Sequence, residues 1–159
     1  MKKTVKMNKI DLIDRDSGLE YNISLIEKYI QDVLISLDIT DWEFSLLFSK
    51  DEYIAELNRD FRKKDWPTDV LTFCEADNDE SWGTVENDSP YYAGDIIISI
   101  ETLLKNSDYF GVDPVEELKR LIIHGILHLK GMDHDTNDSD EGMLLLQEDI
   151  LTRFGEYKF

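Results

Sequence analysis

The residues best able to do chemistry are gathered in one stretch, His124-Gly125-Ile126-Leu127-His128-Leu129-Lys130-Gly131-Met132-Asp133-His134, which contains all three histidines of the chain. His124 and His128 stand four residues apart. On a helix that spacing puts both imidazoles on one face, about 6 Å apart at Cβ, close enough to share one metal ion. Gly131 suits the left-handed conformation that often follows a helix end, and such a turn brings His134 back as a third ligand. Three neutral nitrogens leave one position of a tetrahedral ion for water, the catalytic rather than the closed structural form of a zinc site. Imidazole also suits nickel, cobalt and iron, so spacing alone leaves the metal open. The helix around the histidines is strongly apolar, with Leu121, Ile122, Ile123, Ile126, Leu127 and Leu129. Burying imidazoles there costs free energy unless a partner satisfies them.

The spacing matches the metzincin pattern H-E-x-x-H-x-x-G-x-x-H at every fixed position but one. Gly125 stands where that pattern has glutamate, the general base of the metalloproteases. The ligand set is therefore kept and the peptidase base is lost. This points to a metal-dependent hydrolase that is not a conventional protease, with a zincin-like or metzincin-like metal helix.

A second cluster is cationic. Arg59, Arg62 and Lys63 fall at i, i+3 and i+4, and Lys64 follows. One reading is a phosphate-binding face. The other is a solvated helix end, where cations complement the C-terminal dipole. Asp133 also has two readings, as a carboxylate orienting a metal ligand or as a cap for the turn before His134.

Composition limits the partners. The chain has 159 residues, 42% of them hydrophobic, and a formal net charge of −18. One domain spanning 1–159 is the natural count. The charge repels nucleic acid at long range, so RNA binding requires a local basic patch. Cys74 is the only cysteine, which rules out an intramolecular disulfide. No apolar run follows the lysines at the start of the chain, and none is long enough to span a bilayer. The expectation is a cytoplasmic protein with no membrane partner.

The elements that must position these residues follow from pattern. Val5 to Ile13 reads as a strand, with Gly18 in the turn after it. Ile26, Ile30, Val33, Leu34 and Leu37 recur at helical spacing over 23–37. Trp42 to Phe48 reads as a strand. Ser49 with Glu52 resembles a capping box, opening a helix to about Phe61 with Ile54, Leu57 and Phe61 inward and Pro67 as its stop. Val70 to Phe73 is a strand, and the acidic stretch from Glu75 to Pro90 is an exposed hairpin or loop. The isoleucine run after Tyr91 is a buried central strand, where Gly94 marks a bulge or close approach. A helix from Glu101 ends near Gly111. Asp113 caps the histidine helix and Pro114 suits its first turn. Asp138 caps a last helix. This order predicts an α+β fold, a mixed sheet packed with helices.

His124-Gly125-x-x-His128-Leu129-x-Gly131-x-Asp133-His134 resembles the signature of the YbeY endoribonucleases. Leu57-Asn58-x-x-Phe61-Arg62-x-Lys64-Asp65-x-Pro67-Thr68-Asp69-Val70-Leu71-x-Phe73 is similar to that family's second motif, and Gly94-Asp95-Ile96 to its third. The resemblance covers about residues 40 to 152. It implies an endoribonuclease specific for single strands that takes one Zn2+ per chain and acts in the cytoplasm on ribosomal RNA rather than DNA. It also implies roles in 16S rRNA 3′-end maturation and ribosome quality control, with the small ribosomal subunit or its proteins as partners. The zinc ligands fall on His124, His128 and His134, and the functional arginine on Arg62. Independently of the resemblance, the phosphate-binding reading of the basic cluster has Arg59, Lys63 and Lys64 hold neighbouring phosphates. Two departures stand out: Lys63 where the family usually has glycine, and Cys74 where it usually has proline. The alternatives are a zinc-stabilised, non-enzymatic ribosome-assembly factor or a metallopeptidase.

Overall fold

The computed structural model describes residues 7–75, 90–133 and 142–159. Their element order is β1 (Lys9–Asp14), α1 (Ile23–Ser36), β2 (Trp42–Ser49), α2 (Asp51–Arg62), β3 (Val70–Cys74), β4 (Tyr91–Ser99), α3 (Ile100–Phe110), α4 (Pro114–Leu129) and α5 (Gly142–Arg153). The strands form one mixed sheet in the order β1-β2-β4-β3. β1 and β4 each pair parallel with β2, and β3 runs antiparallel to β4 along one edge. The expected α+β architecture is therefore present. The acidic loop expected over 75–90 lies almost wholly outside the described residues, as do His134 and Asp138.

Alternation along the strands gives the sheet two different faces. Phe44, Leu46, Phe48, Ile96 and Ile98 turn to one face and join the main core with residues of α1, α4 and α5. Within α4, Ile122, Ile123, Ile126 and Leu127 are fully buried, and burial of each such side chain contributes roughly 1.5–3 kcal/mol. A helix apolar on nearly all sides belongs inside a core, and α4 lies there. Asp113 caps it as expected, accepting the Val115 N–H at 3.0 Å, with Pro114 in the first turn. The other face carries a smaller cluster of Ile54, Leu71 and Ile97, flanked by Leu47, Tyr53, Leu57 and Phe73.

Two glycines let α4 approach the sheet. A Cβ on Gly125 would lie 2.8 Å from the Ile96 side chain. A Cβ on Gly94 would lie 2.0 Å from the Phe73 carbonyl oxygen and 2.9 Å from Leu129. Gly94 has φ +143° and sits where the register between β2 and β4 shifts. Both readings of Gly94, bulge and close approach, hold.

The region around α2 departs from expectation in four ways. Ser49 ends β2 opposite Ser99 instead of capping α2; the N-cap is Lys50, which makes no side-chain cap bond, and the Asp51 N–H donates to Glu101 from α3 at 2.9 Å. Phe61 is 67% exposed instead of buried, because it lies over the edge strand β3, edge-on to Phe73, where nothing among the described residues covers its other side. The helix ends at Arg62, where its expected end near Phe61 put it, but Pro67 is not what stops it. Lys63 is left-handed at φ 57° and so does not extend the helical face of Arg59 and Arg62. Asn58, buried beneath this end, donates to the Trp66 carbonyl at 2.9 Å and fixes the loop that follows.

Candidate functional site

His124 and His128 project from the last turns of α4 on one face, with ring centroids 4.6 Å apart. Each Nδ1 is held. His124 Nδ1 lies 2.8 Å from Gln147 Oε1 on α5. The Gln147 Nε2 donates to Glu148 at 3.4 Å, which orients the amide with its oxygen toward the imidazole. His128 Nδ1 lies 3.1 Å from the Met132 carbonyl, an atom that can only accept. Both imidazoles therefore donate from Nδ1 and carry a lone pair on Nε2. The two Nε2 atoms stand 3.0 Å apart. Two facing lone pairs repel at that distance, and a cation between them turns repulsion into coordination. Two nitrogens on one tetrahedral zinc lie about 3.3 Å apart. The pair thus fits a zinc-type ion, with each second nitrogen hydrogen-bonded as metal-bound histidines usually are.

The turn after α4 supplies one of these contacts. Gly131 adopts φ +94°, the left-handed turn expected of it. The Gly131 and Met132 N–H groups bond back to the His128 and Leu127 carbonyls at 2.9 and 3.0 Å. That closure carries the Met132 carbonyl to His128. α5 is tied in turn to α4 through Arg120, which bonds to Glu148 at 3.1 Å and to Glu117 at 2.8 Å. Gln147 is buried and is the residue sequence reasoning missed. It stands four residues after Met143 and three before Ile150, on the apolar stripe of α5, and a polar side chain at such a position signals a partner inside.

The imidazoles open into a cleft of about 590 Å³ lined also by Arg62, Thr68, Asp69, Thr72, Cys74 and Asp133. Among the described residues, Arg62 is the one cationic side chain lining it, and none of them forms an ion pair with Arg62. Arg59 faces elsewhere, with Asp60 at 3.5 Å and Asp65 at 3.9 Å. Lys63 and Lys64 are exposed on the loop beyond α2 and do not line the cleft. The basic cluster therefore divides, and only Arg62 reaches the imidazoles' side. Asp133 is exposed at the rim of the same cleft. Cys74 donates from Sγ to the His128 carbonyl at 3.1 Å, tying the edge strand to α4.

Comparison with known proteins agrees with this geometry. The family model for Endoribonuclease YbeY matches residues 11–155. The chain is 45% identical over 131 residues to the Endoribonuclease YbeY of Treponema denticola, covering 81% of each chain. It is 42% identical over 149 residues to that of Borreliella afzelii, covering 92% of this chain and 97% of the relative. A protein from Thermotoga maritima solved in solution superposes with a TM-score of 0.60 at 28% identity, over 93% of this chain and 91% of that one. With the match running through α4 and through the arginine that faces it, the chain belongs to the Endoribonuclease YbeY family.

Proposed function

We propose that the protein is a zinc-dependent endoribonuclease that cuts single-stranded ribosomal RNA in the cytoplasm, notably at the 16S rRNA 3′ end and in ribosome quality control. The observation that carries this reading is the pair of Nε2 atoms 3.0 Å apart, opening into the cleft that Arg62 lines. Family membership supports the substrate class.

His124, His128 and His134 would hold the ion. Zinc in a three-imidazole site supplies Lewis acidity and a water acidified to a pKa of about 7. Gln147 and the Met132 carbonyl keep the two described imidazoles in the tautomer that coordinates. Arg62 meets the non-bridging oxygens of the scissile phosphate with its guanidinium fork, and the bonds strengthen as charge builds there. The apolar packing of α4 keeps the imidazoles from turning into the core. Any side chain at position 125 would have to push Ile96 aside, and the chain lacks the glutamate that serves as the peptidase base there; both argue against the metallopeptidase alternative. The net charge of −18 makes basic small-subunit proteins fitting partners for delivery to the ribosome.

The test is Arg62→Ala, assayed for metal content and for cleavage of single-stranded RNA. Zinc should remain at one per chain while cleavage falls about 100- to 1,000-fold, the usual loss for one charge-stabilising donor. Cleavage at the wild-type rate would remove Arg62 from the reaction.

A further inference from the structure

Arg62 borders two clefts. The second, of about 610 Å³, opens on the α2 face of the sheet. Arg62, Thr72 and Cys74 line both, so the two meet over the edge strand β3.

The floor of this second cleft is an ordered row. Ser45 on β2, Asp95 on β4 and Phe73 on β3 are register partners on one face, each about 4.8 Å from the next. The exposed Phe61 lies edge-on to Phe73, ring centroids 5.3 Å apart at 66°. Asp95 Oδ1 accepts from Ser45 and from Tyr92, both at 2.5 Å, which fixes the carboxylate in the cleft. Burial, then the Asp95 hydrogen bond, pushes the Tyr92 phenol up to about 12, so it remains a donor at neutral pH. At the far end Arg15 lies 4.2 Å over the Tyr53 ring, and Tyr53 also lines the cleft. The cleft thus joins a cation, Arg62, to an exposed ring, Phe61, and two half-buried ones, Tyr53 and Phe73; a cation beside a ring on which a base can stack is the combination by which proteins hold single-stranded nucleic acid.

We propose that the second cleft is a nucleobase subsite: the base next to the scissile phosphate at Arg62 stacks on the exposed Phe61 ring, with Phe73 edge-on beside it, and donates an amino hydrogen to Asp95. This inference rests on the endoribonuclease reading above. Adenine, cytosine and guanine carry an exocyclic amino group. Uracil has a carbonyl oxygen in its place, and its one ring donor on that edge, N3–H, lies between two carbonyl oxygens that a carboxylate repels. Asp95 therefore makes the subsite selective against uracil.

The test uses zinc-loaded wild-type protein, Phe61→Ala, Phe61→Trp and Asp95→Asn, with short single-stranded RNAs differing only in the bases flanking one cleavage site. Zinc content and circular dichroism confirm that each variant is folded. Loss of one stacked base should raise KM for Phe61→Ala roughly 5- to 100-fold, with kcat much less changed, and Phe61→Trp should restore it. In Asp95→Asn the amide can donate to a uracil carbonyl, so discrimination against uracil should disappear. Wild type that cuts RNA beside variants with unchanged KM and unchanged base preference would overturn the subsite and leave the endoribonuclease reading intact. Variants that lose binding to a small-subunit protein but keep wild-type RNA kinetics would assign the cleft to a protein and overturn it equally. Wild type that neither binds nor cuts RNA would overturn both readings.

Discussion

The two faces of the sheet are built to different standards. On one, α1, α4 and α5 close over Phe44, Leu46, Phe48, Ile96 and Ile98 with almost no solvent left. On the other, three buried residues and a fringe of half-buried ones hold α2 alone. A polar network anchors that helix: Asp51 accepts from Ser99 at 2.6 Å and from Lys105 at 2.7 Å. The imidazoles stand on the rigid side and the arginine on the looser one. Coordination demands groups fixed to a few tenths of an ångström. A phosphate-binding cation on an exposed helix end can reach for its partner. The cleft that holds the imidazoles and Arg62 lies where the two kinds of surface meet, across β3.

The largest expected effect is at the joint itself. Gly94 touches both sides, with the Phe73 carbonyl beside it and Leu129 of α4 above it. Gly94→Ala would add a clash to a backbone conformation that side chains rarely adopt. Strain and overpacking together should cost about 3–5 kcal/mol, a fall in melting temperature on the order of 10 °C. Gly18, with open space around its Cβ position and φ +80°, is the control; Gly18→Ala should cost about 1 kcal/mol. Equal losses for the two would show that α4 does not depend on close approach at β4. Gly125→Ala should fall between them, because the flexible Ile96 side chain can yield where the Phe73 carbonyl cannot.

Next in size is a change confined to the rigid face. Gln147→Leu preserves volume on α5 and removes the acceptor for His124 Nδ1. Metal affinity should drop about 10- to 100-fold, measured by competition with a chelating dye, while thermal stability of the apo-protein changes little. Unchanged affinity would mean that packing of α4, not Gln147, sets the His124 ring.

Much of this was legible in the order of residue types. The helical spacing of Ile26, Ile30, Val33 and Leu34, the Asp113-Pro114 start of α4, and the turn glycine at 131 each carry a local physical cause. So do the paired histidines and the close approach at Gly94. The misreadings share one source, contacts between distant segments. Phe61 repeats in phase with Ile54 and Leu57, yet periodicity does not reveal that it lies over the sheet's edge strand, against Phe73, where one side stays open to solvent. Ser49 and Glu52 suit a cap, but β2 claims the serine and Glu101, fifty residues away, meets the first turn of α2. The basic run 59–64 looked like one surface; a single left-handed residue at 63 divides it. The Met132 carbonyl has no side-chain signature at all. Gln147 has one, and only its apolar neighbours make it visible.

The smallest effect compares the two helix ends that flank the cleft. α4 is followed by a left-handed glycine, Gly131 at φ +94°, and α2 by a left-handed lysine, Lys63 at φ 57°. The same conformation is strained in one and relaxed in the other, since a Cβ in the left-handed region costs about 1–2 kcal/mol. Glycine would remove that strain but loosen the unfolded chain by about 0.4–1 kcal/mol. Lys63→Gly should therefore raise stability by up to about 1 kcal/mol, read as a higher denaturant midpoint at constant slope. Because Lys63 is exposed and outside the cleft, RNA cleavage should change by less than about threefold, within the worth of a solvent-screened cation. A stability loss would mean that the lysine side chain holds the 63–66 loop and, through it, the direction of Arg62. In that case the looser face would owe its geometry to a charge on its surface, and its tolerance of change would be less than that of the glycine turn opposite.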